Sequence, residues 1–218
     1  MSYCYEYPRA SITLDAVVLK SENLEFPKVL LIKRLNPPFK GLWALPGGFM
    51  EMEETALHGA KRELEEETSL PDMPLKPIFS CSEPERDPRG RTLTVVFGCL
   101  TDKLPCPPAA ADDAAELGFF SLMSPPEMAF DHARVLDEIK ASLLWQAKYA
   151  IIGQDIFKHS GVSKKDFLTL HSNILGENLL DDFIEEKLSK DLIELRDEKL
   201  FYKTPSASNF PDWSPLIW

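Results

Sequence analysis

A chain of 218 residues suits one large domain or two small ones. Its 44% hydrophobic and 27% charged residues are those of a globular protein and exclude whole-chain disorder or fibrous repeats. Twenty-four Lys and Arg against 35 Asp and Glu give a net charge of −11, so the chain as a whole does not attract DNA, RNA or anionic lipid. A small phosphorylated ligand stays admissible, because a divalent cation can supply positive charge locally. No apolar run reaches the ~18 residues of a membrane helix. Residues 1–10 are tyrosine-rich and lack the basic-then-apolar order of a secretory signal. Cys4, Cys81, Cys99 and Cys106 form no C-x-x-C pair, so free thiols in a reducing cytoplasm are expected.

In chain order, residues 11–20 read as a strand, with Ile12, Leu14, Ala16 and Val18 alternating with smaller or polar residues. Residues 29–34 read as a second strand, and 21–28, with Asn23 and Pro27, as a hairpin connection. The stretch NPPFKG at 36–41 breaks the chain, and Pro46-Gly47-Gly48 breaks it again. From 55 to 68 the period is helical, and Leu57, Ala60 and Leu64 mark the face expected to pack on a sheet. Pro71 and Pro74 stop that helix. Strands at 78–80 and 93–100 follow, joined by polar residues 83–91, then an Ala- and Pro-rich loop at 104–115 and a short strand at 118–120. From Asp131 the pattern is helical at 133–152, 163–175 and 178–190, with a hairpin near 192–203. We therefore expect a first domain over 1–132 and a second over 133–218. The tail at 204–218, with two tryptophans, is expected to pack across a surface or subunit contact.

The segment GFMEMEETALHGAKRELEEETSL at 48–70 carries the chemistry. On one helix, Glu63, Glu66 and Glu67 stand at i,i+3 and i,i+4 spacing, which gathers their carboxylates on one side. Carboxylates about 5 Å apart at an effective dielectric of ~20 repel by roughly 3 kcal/mol per pair. A hard divalent cation relieves that repulsion; a solvated acidic face, where such pairs cost only about 0.2–0.5 kcal/mol, is the alternative.

The segment resembles the Nudix box, G-x5-E-x7-R-E-U-x-E-E-x-G-U with U aliphatic, through Gly48, Glu54, Arg62, Glu63, Leu64, Glu66, Glu67 and Leu70. One position departs: Ser69 stands where the box has its late glycine, so a modified loop is expected there. The resemblance implies an α/β fold, an α/β/α sandwich around a mixed sheet. It also implies hydrolysis of a nucleoside diphosphate linked to another moiety. The metal, Mg2+ or alternatively Mn2+, would be held by Glu63, Glu66, Glu67 and the Gly48 carbonyl, with Arg62 fixing the ligands. As acceptor of the water proton we expect Glu116, among Asp112, Asp113 and Glu116 on the loop before Gly118.

More of the first domain resembles the ADP-ribose pyrophosphatase branch of that family, through VLLIKR at 29–34, NPPFKGLWALPGG at 36–48, RDPRGR at 86–91 and AFDH at 129–132. Pro84 falls fifteen positions after Ser69, where that branch carries a proline. A nucleotide-sugar substrate follows, with Arg34, Phe39, Pro84, Arg86 and Arg89 expected to touch it. Arg91 is a further candidate cation, and Asp87 pairing on a solvated loop is the alternative for these arginines. Phe39 and Trp43 are candidates to stack on adenine, with core packing the alternative for Trp43. His132 is expected at a structural junction.

Residues 162–196 resemble the C-terminal winged helix of Nudix-related transcriptional regulators of NAD metabolism, through Phe167, Leu170, Ile174, Leu175, Gly176, Leu179 and Leu188. The second domain is therefore expected to be mainly helical and winged-helix-like. A ligand-gated repressor is the rival reading. Against it, the recognition-helix region carries Glu177, Asp181, Asp182, Glu185 and Glu186 against Lys187 and Lys190. From Asp131 onward, 11 cations and 15 anions give −4, where DNA binding needs several phosphate contacts. Enzyme is the preferred reading, DNA is disfavoured as a partner, and a homodimer is expected by analogy with relatives.

Overall fold

A computed structural model describes residues 6–111, 114–149, 152–153, 156–157 and 161–203. Among the described residues, seven strands form one mixed sheet. They are β1 (Ser11–Lys20), β2 (Lys28–Arg34), β3 (Trp43–Ala44), β4 (Gly47–Phe49), β5 (Lys76–Cys81), β6 (Thr92–Thr101) and β7 (Ala114–Ser121). The order β3-β2-β1-β6-β5 is completed by β4 on β1 and β7 on β2. β1 and β6 run parallel over ten paired residues, and the other pairings are antiparallel.

β1 is buried on both faces, so the simple alternation expected from its sequence does not hold. Leu14, Ala16 and Val18 pack towards α1 (Ala56–Thr68), in one cluster with Ala60, Leu64 and Phe97. Val17 and Leu19 pack on the opposite side with Val135, Leu136, Ile139 and Leu143 of α2 (His132–Tyr149). Sheet and two helices make the α/β/α sandwich. α2 thus completes the apolar core of the first unit, although the expected boundary after residue 132 sets that helix in the second.

α1 opens on Thr55, whose hydroxyl accepts from the His58 N–H at 3.3 Å. Its buried face is Gly59, Ala60, Leu64, Glu67 and Thr68. Leu57, expected on that face, is instead 40% exposed. Gly59 takes its place because a Cβ there would meet Leu14 at 2.4 Å and the Glu54 carboxylate at 2.5 Å. At the other end, Ser69 is left-handed (φ 59, ψ 21) and its N–H reaches the Glu65 carbonyl at 2.8 Å. Serine adopts the glycine-type left-handed cap itself, at a strain of about 1 kcal/mol.

The C-terminal unit consists of β8 (Val162–Ser163), α3 (Lys164–Leu175), α4 (Asp181–Ser189) and the hairpin β9 (Ile193–Arg196) and β10 (Lys199–Tyr202). Its own core includes Phe167, Phe183, Ile184, Ile193 and Leu200. It is not tethered loosely: Leu170 and Ile174 enter the cluster around α2, and Asn173 Nδ2 donates to the Leu24 carbonyl at 2.8 Å. Among the described residues no helix is long and apolar enough to cross a membrane. The tail at 204–218 and the acids Asp112 and Asp113 lie outside the described residues.

Candidate active site

Two glycines bring β4 against α1. A Cβ on Gly47 would stand 2.1 Å from the Leu14 carbonyl oxygen, and one on Gly48 about 2.5 Å from the Glu63 carboxylate. At Gly47, where the obstacle is backbone, only glycine allows this approach, and at Gly48 a Cβ would have to displace the Glu63 carboxylate. With the side chains gone, the Gly47 N–H donates to Glu67 Oε2 at 2.9 Å. Gly48, Glu63 and Glu67 are thereby brought together.

Arg62 ties the rest. Its Nε and Nη2 bond the two oxygens of Glu54 at 3.1 and 2.8 Å. Its Nη1 reaches Glu63 Oε1 at 2.9 Å and Glu66 Oε2 at 3.0 Å. Its Nη2 also reaches the Phe49 carbonyl at 3.3 Å. Glu54, only 5% exposed at its side chain, takes a further bond from the Glu51 N–H at 2.8 Å. The Arg62 hydrogen bonds hold the Glu54 carboxyl down at about 2 and raise the arginine's own pKa. Burial pushes the Glu63 carboxyl up, against the opposing pull of Arg62. Three carboxylates and a carbonyl are hard oxygen donors of the kind Mg2+ takes, and a buried carboxylate with a raised pKa gains from a cation beside it. Although Arg62 holds both Glu63 and Glu66 and, among the described residues, the three box carboxylates do not gather within 4.8 Å of one another, by donor type the residues present fit a divalent metal.

A second donor group does not. Cys81, Glu83 and Asp131 bring ligand atoms within 4.8 Å of one another. However, Arg134 occupies Glu83, Arg86 occupies Asp131, and burial pushes the Cys81 thiol up to about 11.

Beside the box, Arg34, Phe39 and Arg89 converge on Phe130. The Arg34 guanidinium lies 4.9 Å and that of Arg89 5.5 Å from the Phe130 ring, and Phe39 meets the same ring edge-on at 4.8 Å. Arg89 also sits 4.9 Å from the exposed Phe49 ring. Phe49 therefore joins the two halves: its carbonyl is on Arg62 and its ring is under Arg89. Phe39, Phe49 and Arg89 are exposed members of this group, while Arg34 is half-buried with its Nε on the Pro38 carbonyl at 2.8 Å. Arg89 is held by a two-pronged bond to Asp87, the pairing weighed against it. Trp43 packs edge-on with Phe120 at 4.4 Å, the core alternative.

The other expected residues lie elsewhere. Arg86 is buried and committed to Asp131 through bonds of 3.1 and 2.8 Å, with Asp15 at 3.7 Å, so it offers no exposed cation to a phosphate. Pro84 lines a separate hollow of about 420 Å³ with Glu83, Glu85, Arg86, Asp131 and Arg134. Glu116 lies within β7, not on a loop, and pairs with Lys33 at 3.3 Å rather than with the box carboxylates. Arg91 donates to the Ser82 carbonyl.

His132 is buried, as a junction residue should be. Its Nδ1 accepts from the Leu45 N–H at 3.0 Å, and its Nε2 stands 3.8 Å from Asp15 Oδ1. Phe49, Phe130 and Asp15 went unread as site residues. Asp15 carried a signal, an acid in the middle of an apolar strand.

The NUDIX domain family model matches residues 13–139. The chain belongs to the Nudix family. It is 39% identical over 132 residues, 61% of this chain and 74% of the relative, to an "ADP-ribose pyrophosphatase" of Methanocaldococcus jannaschii. It is 28% identical over 177 residues, 80% of this chain and 70% of the relative, to the "ADPR responsive transcriptional repressor NtrR" of Acinetobacter baylyi. Among solved structures, that of Shewanella oneidensis NrtR superposes with a TM-score of 0.67 at 25% identity, covering 84% of this chain and 86% of that one. The box of a Nudix hydrolase and an additional C-terminal unit therefore occur together in this chain.

Proposed function

We propose that this chain hydrolyses ADP-ribose to AMP and ribose 5-phosphate. The observation that carries the reading is the pairing of the Arg62-centred carboxylates with the Arg34–Arg89–Phe130 group through Phe49. The carboxylates suit a metal and a diphosphate, and the cation–aromatic group suits the flat or charged ends of a nucleotide. The 39%-identical relative named for ADP-ribose supports the choice of substrate.

Glu63, Glu66, Glu67 and the Gly48 carbonyl would hold Mg2+, with Mn2+ able to replace it. The metal supplies charge neutralisation and polarisation of the diphosphate. Arg62 keeps Glu63 and Glu66 in register, and Arg34 and Arg89 neutralise the substrate's remaining charge. For the water proton two carboxylates compete: Glu116, 58% exposed and paired with Lys33 at 3.3 Å, and Glu66, 46% exposed and paired with Arg62 at 3.0 Å. Glu66→Gln and Glu116→Gln, assayed side by side, separate the two assignments. We place the chain in a reducing compartment such as the cytoplasm, in keeping with the scattered cysteines of its sequence.

The repressor reading is favoured by the 28%-identical relative and by a local basic edge that exposed Lys164, Lys165 and Lys199 could form, and the surface of α4 opposes it. On α4, Lys187 is buried and Lys190 is paired with Glu186; on the hairpin, Arg196 is paired with Glu194. A purified chain with Mg2+, offered ADP-ribose, NDP-sugars, NADH and dinucleoside polyphosphates, should release AMP and ribose 5-phosphate from ADP-ribose at the highest kcat/KM. Turnover of none of them, with salt-dependent binding to an operator fragment, would reverse the assignment.

A further inference from the structure

We propose that His132 is a positioning residue for the box: it fixes the backbone at Leu45, and through it the Gly47–Gly48 strand against the box carboxylates. This deepens the hydrolase reading and rests on it. The Leu45 N–H, buried, donates to His132 Nδ1 at 3.0 Å. An N–H donates only to an unprotonated ring nitrogen, so the imidazole is neutral and carries its proton on Nε2. Nε2 faces Asp15 Oδ1 at 3.8 Å. Asp15 is itself fixed by Thr94 Oγ1 at 2.8 Å and by Arg86 Nη2 at 3.7 Å.

The same Arg86 holds Asp131, the residue before His132, so one guanidinium sets both the carboxylate and the imidazole of the clamp. The clamp ends at the site. A Cβ on Gly47 would stand 2.9 Å from Asp15 Oδ1, so that carboxylate lies directly under the glycine whose N–H donates to Glu67. On the Leu45 side, Pro46 separates the clamped N–H from Gly47, and the Pro46 carbonyl is pinned by the Ala16 N–H at 2.8 Å. β4 is short, three residues, and among the described strands pairs with β1 alone; Arg62 and Glu67 hold it to α1, and its entry at Leu45–Pro46 is a further anchor. Arg86, expected to touch phosphate, serves the site from behind.

Three substitutions test this. His132→Asn keeps an acceptor near the Nδ1 position, His132→Gln keeps a donor near Nε2 but loses that acceptor, and His132→Leu removes both. With ADP-ribose and Mg2+, Leu and Gln should lower kcat about a hundredfold, as expected for a reacting group displaced by ~1 Å. KM should change less than kcat, because His132 meets the Arg34–Arg89–Phe130 group through a ring contact with Phe130 at 5.4 Å and bonds neither arginine. Asn should recover kcat to within about tenfold. Mn2+ binding without substrate, followed by electron paramagnetic resonance, should weaken in the same order.

Equal kcat in all four proteins, or an Asn variant as impaired as Leu, overturns the proposal. If the Leu variant loses its circular-dichroism signature, the Asn and Gln pair decides alone: Gln below Asn supports the clamp, and equality overturns it. If wild type turns over no ADP-ribose while Mn2+ affinity still falls from Asn to Gln, the clamp stands and the hydrolase reading fails.

Discussion

Replacing Glu54 with glutamine removes one oxygen from the fork that grips Arg62. The wild-type pair is close and shielded, with bonds of 2.8 and 3.1 Å and side chains 5% and 20% exposed. A charge-assisted bond of this kind contributes about 1.5–3 kcal/mol, and the glutamine amide would also turn an N–H towards an N–H. Arg62 keeps Glu63 and Glu66, so the loss stays below that of a fully stranded charge. We expect Glu54→Gln to destabilise by about 2–4 kcal/mol and to lower Tm by roughly 5–12 °C, by analogy with domains of this size. The pH dependence gives a second readout. The folded carboxyl is held at about 2 against 4.5 unperturbed, so the unfolded chain binds more protons between those values. The Glu54 contribution is therefore complete above pH 4.5 and is lost as pH falls towards 2. Urea titrations at stepped pH should show that loss in wild type and a shallower one in Glu54→Gln. An unchanged Tm together with identical slopes for the two proteins would refute the reasoning.

Three further outcomes follow. Gly48→Ala should lower turnover about a hundredfold or more while leaving ADP-ribose binding intact, measured by steady-state kinetics and calorimetry, because its Cβ would stand 2.5 Å from the Glu63 carboxylate. Arg89→Ala should raise KM about tenfold with a smaller change in kcat, since a lost charge-assisted contact is worth about 1.5 kcal/mol. Lys187 is buried with its amine on the Lys148 carbonyl, and burial lowers its pKa to about 8. Its folded pKa lies below the usual 10.5, so wild-type stability should gain from pH 8 to 10.5, and Lys187→Met, followed by denaturant unfolding, should lack that gain.

The residues of the box could be read from the sequence because each has a local reason for its place. A helix fixes Glu63, Glu66 and Glu67 by spacing alone, and Gly47 and Gly48 announce a close backbone approach. Strand positions were legible for the same reason, except for the short β3, β4 and β8 and for the start of β7. Its first half, Ala114-Ala115-Glu116, has little strand preference and is extended by pairing with β2. Arg86 and Arg89 look alike in RDPRGR, but one is buried between carboxylates from β1 and from Asp131, just before α2, and the other faces outward. Only the chain's return at residues 130–132 decides which is which. Phe49 and Phe130 are 81 positions apart, and nothing local tells either that Arg89 bridges them. The helix after residue 132 reads as part of a helical second half. Its apolar face is claimed by β1 and β2, which no periodicity records.

The most direct measurement is the initial rate of AMP release from ADP-ribose, titrated with Mg2+, in wild type and in Glu67→Gln. The account predicts metal-dependent release of AMP and ribose 5-phosphate in equal amounts from wild type. Glu67→Gln, with an unchanged circular-dichroism spectrum, should show a rate reduced at least a hundredfold. Equal rates in the two proteins, or release that is indifferent to Mg2+, would contradict it.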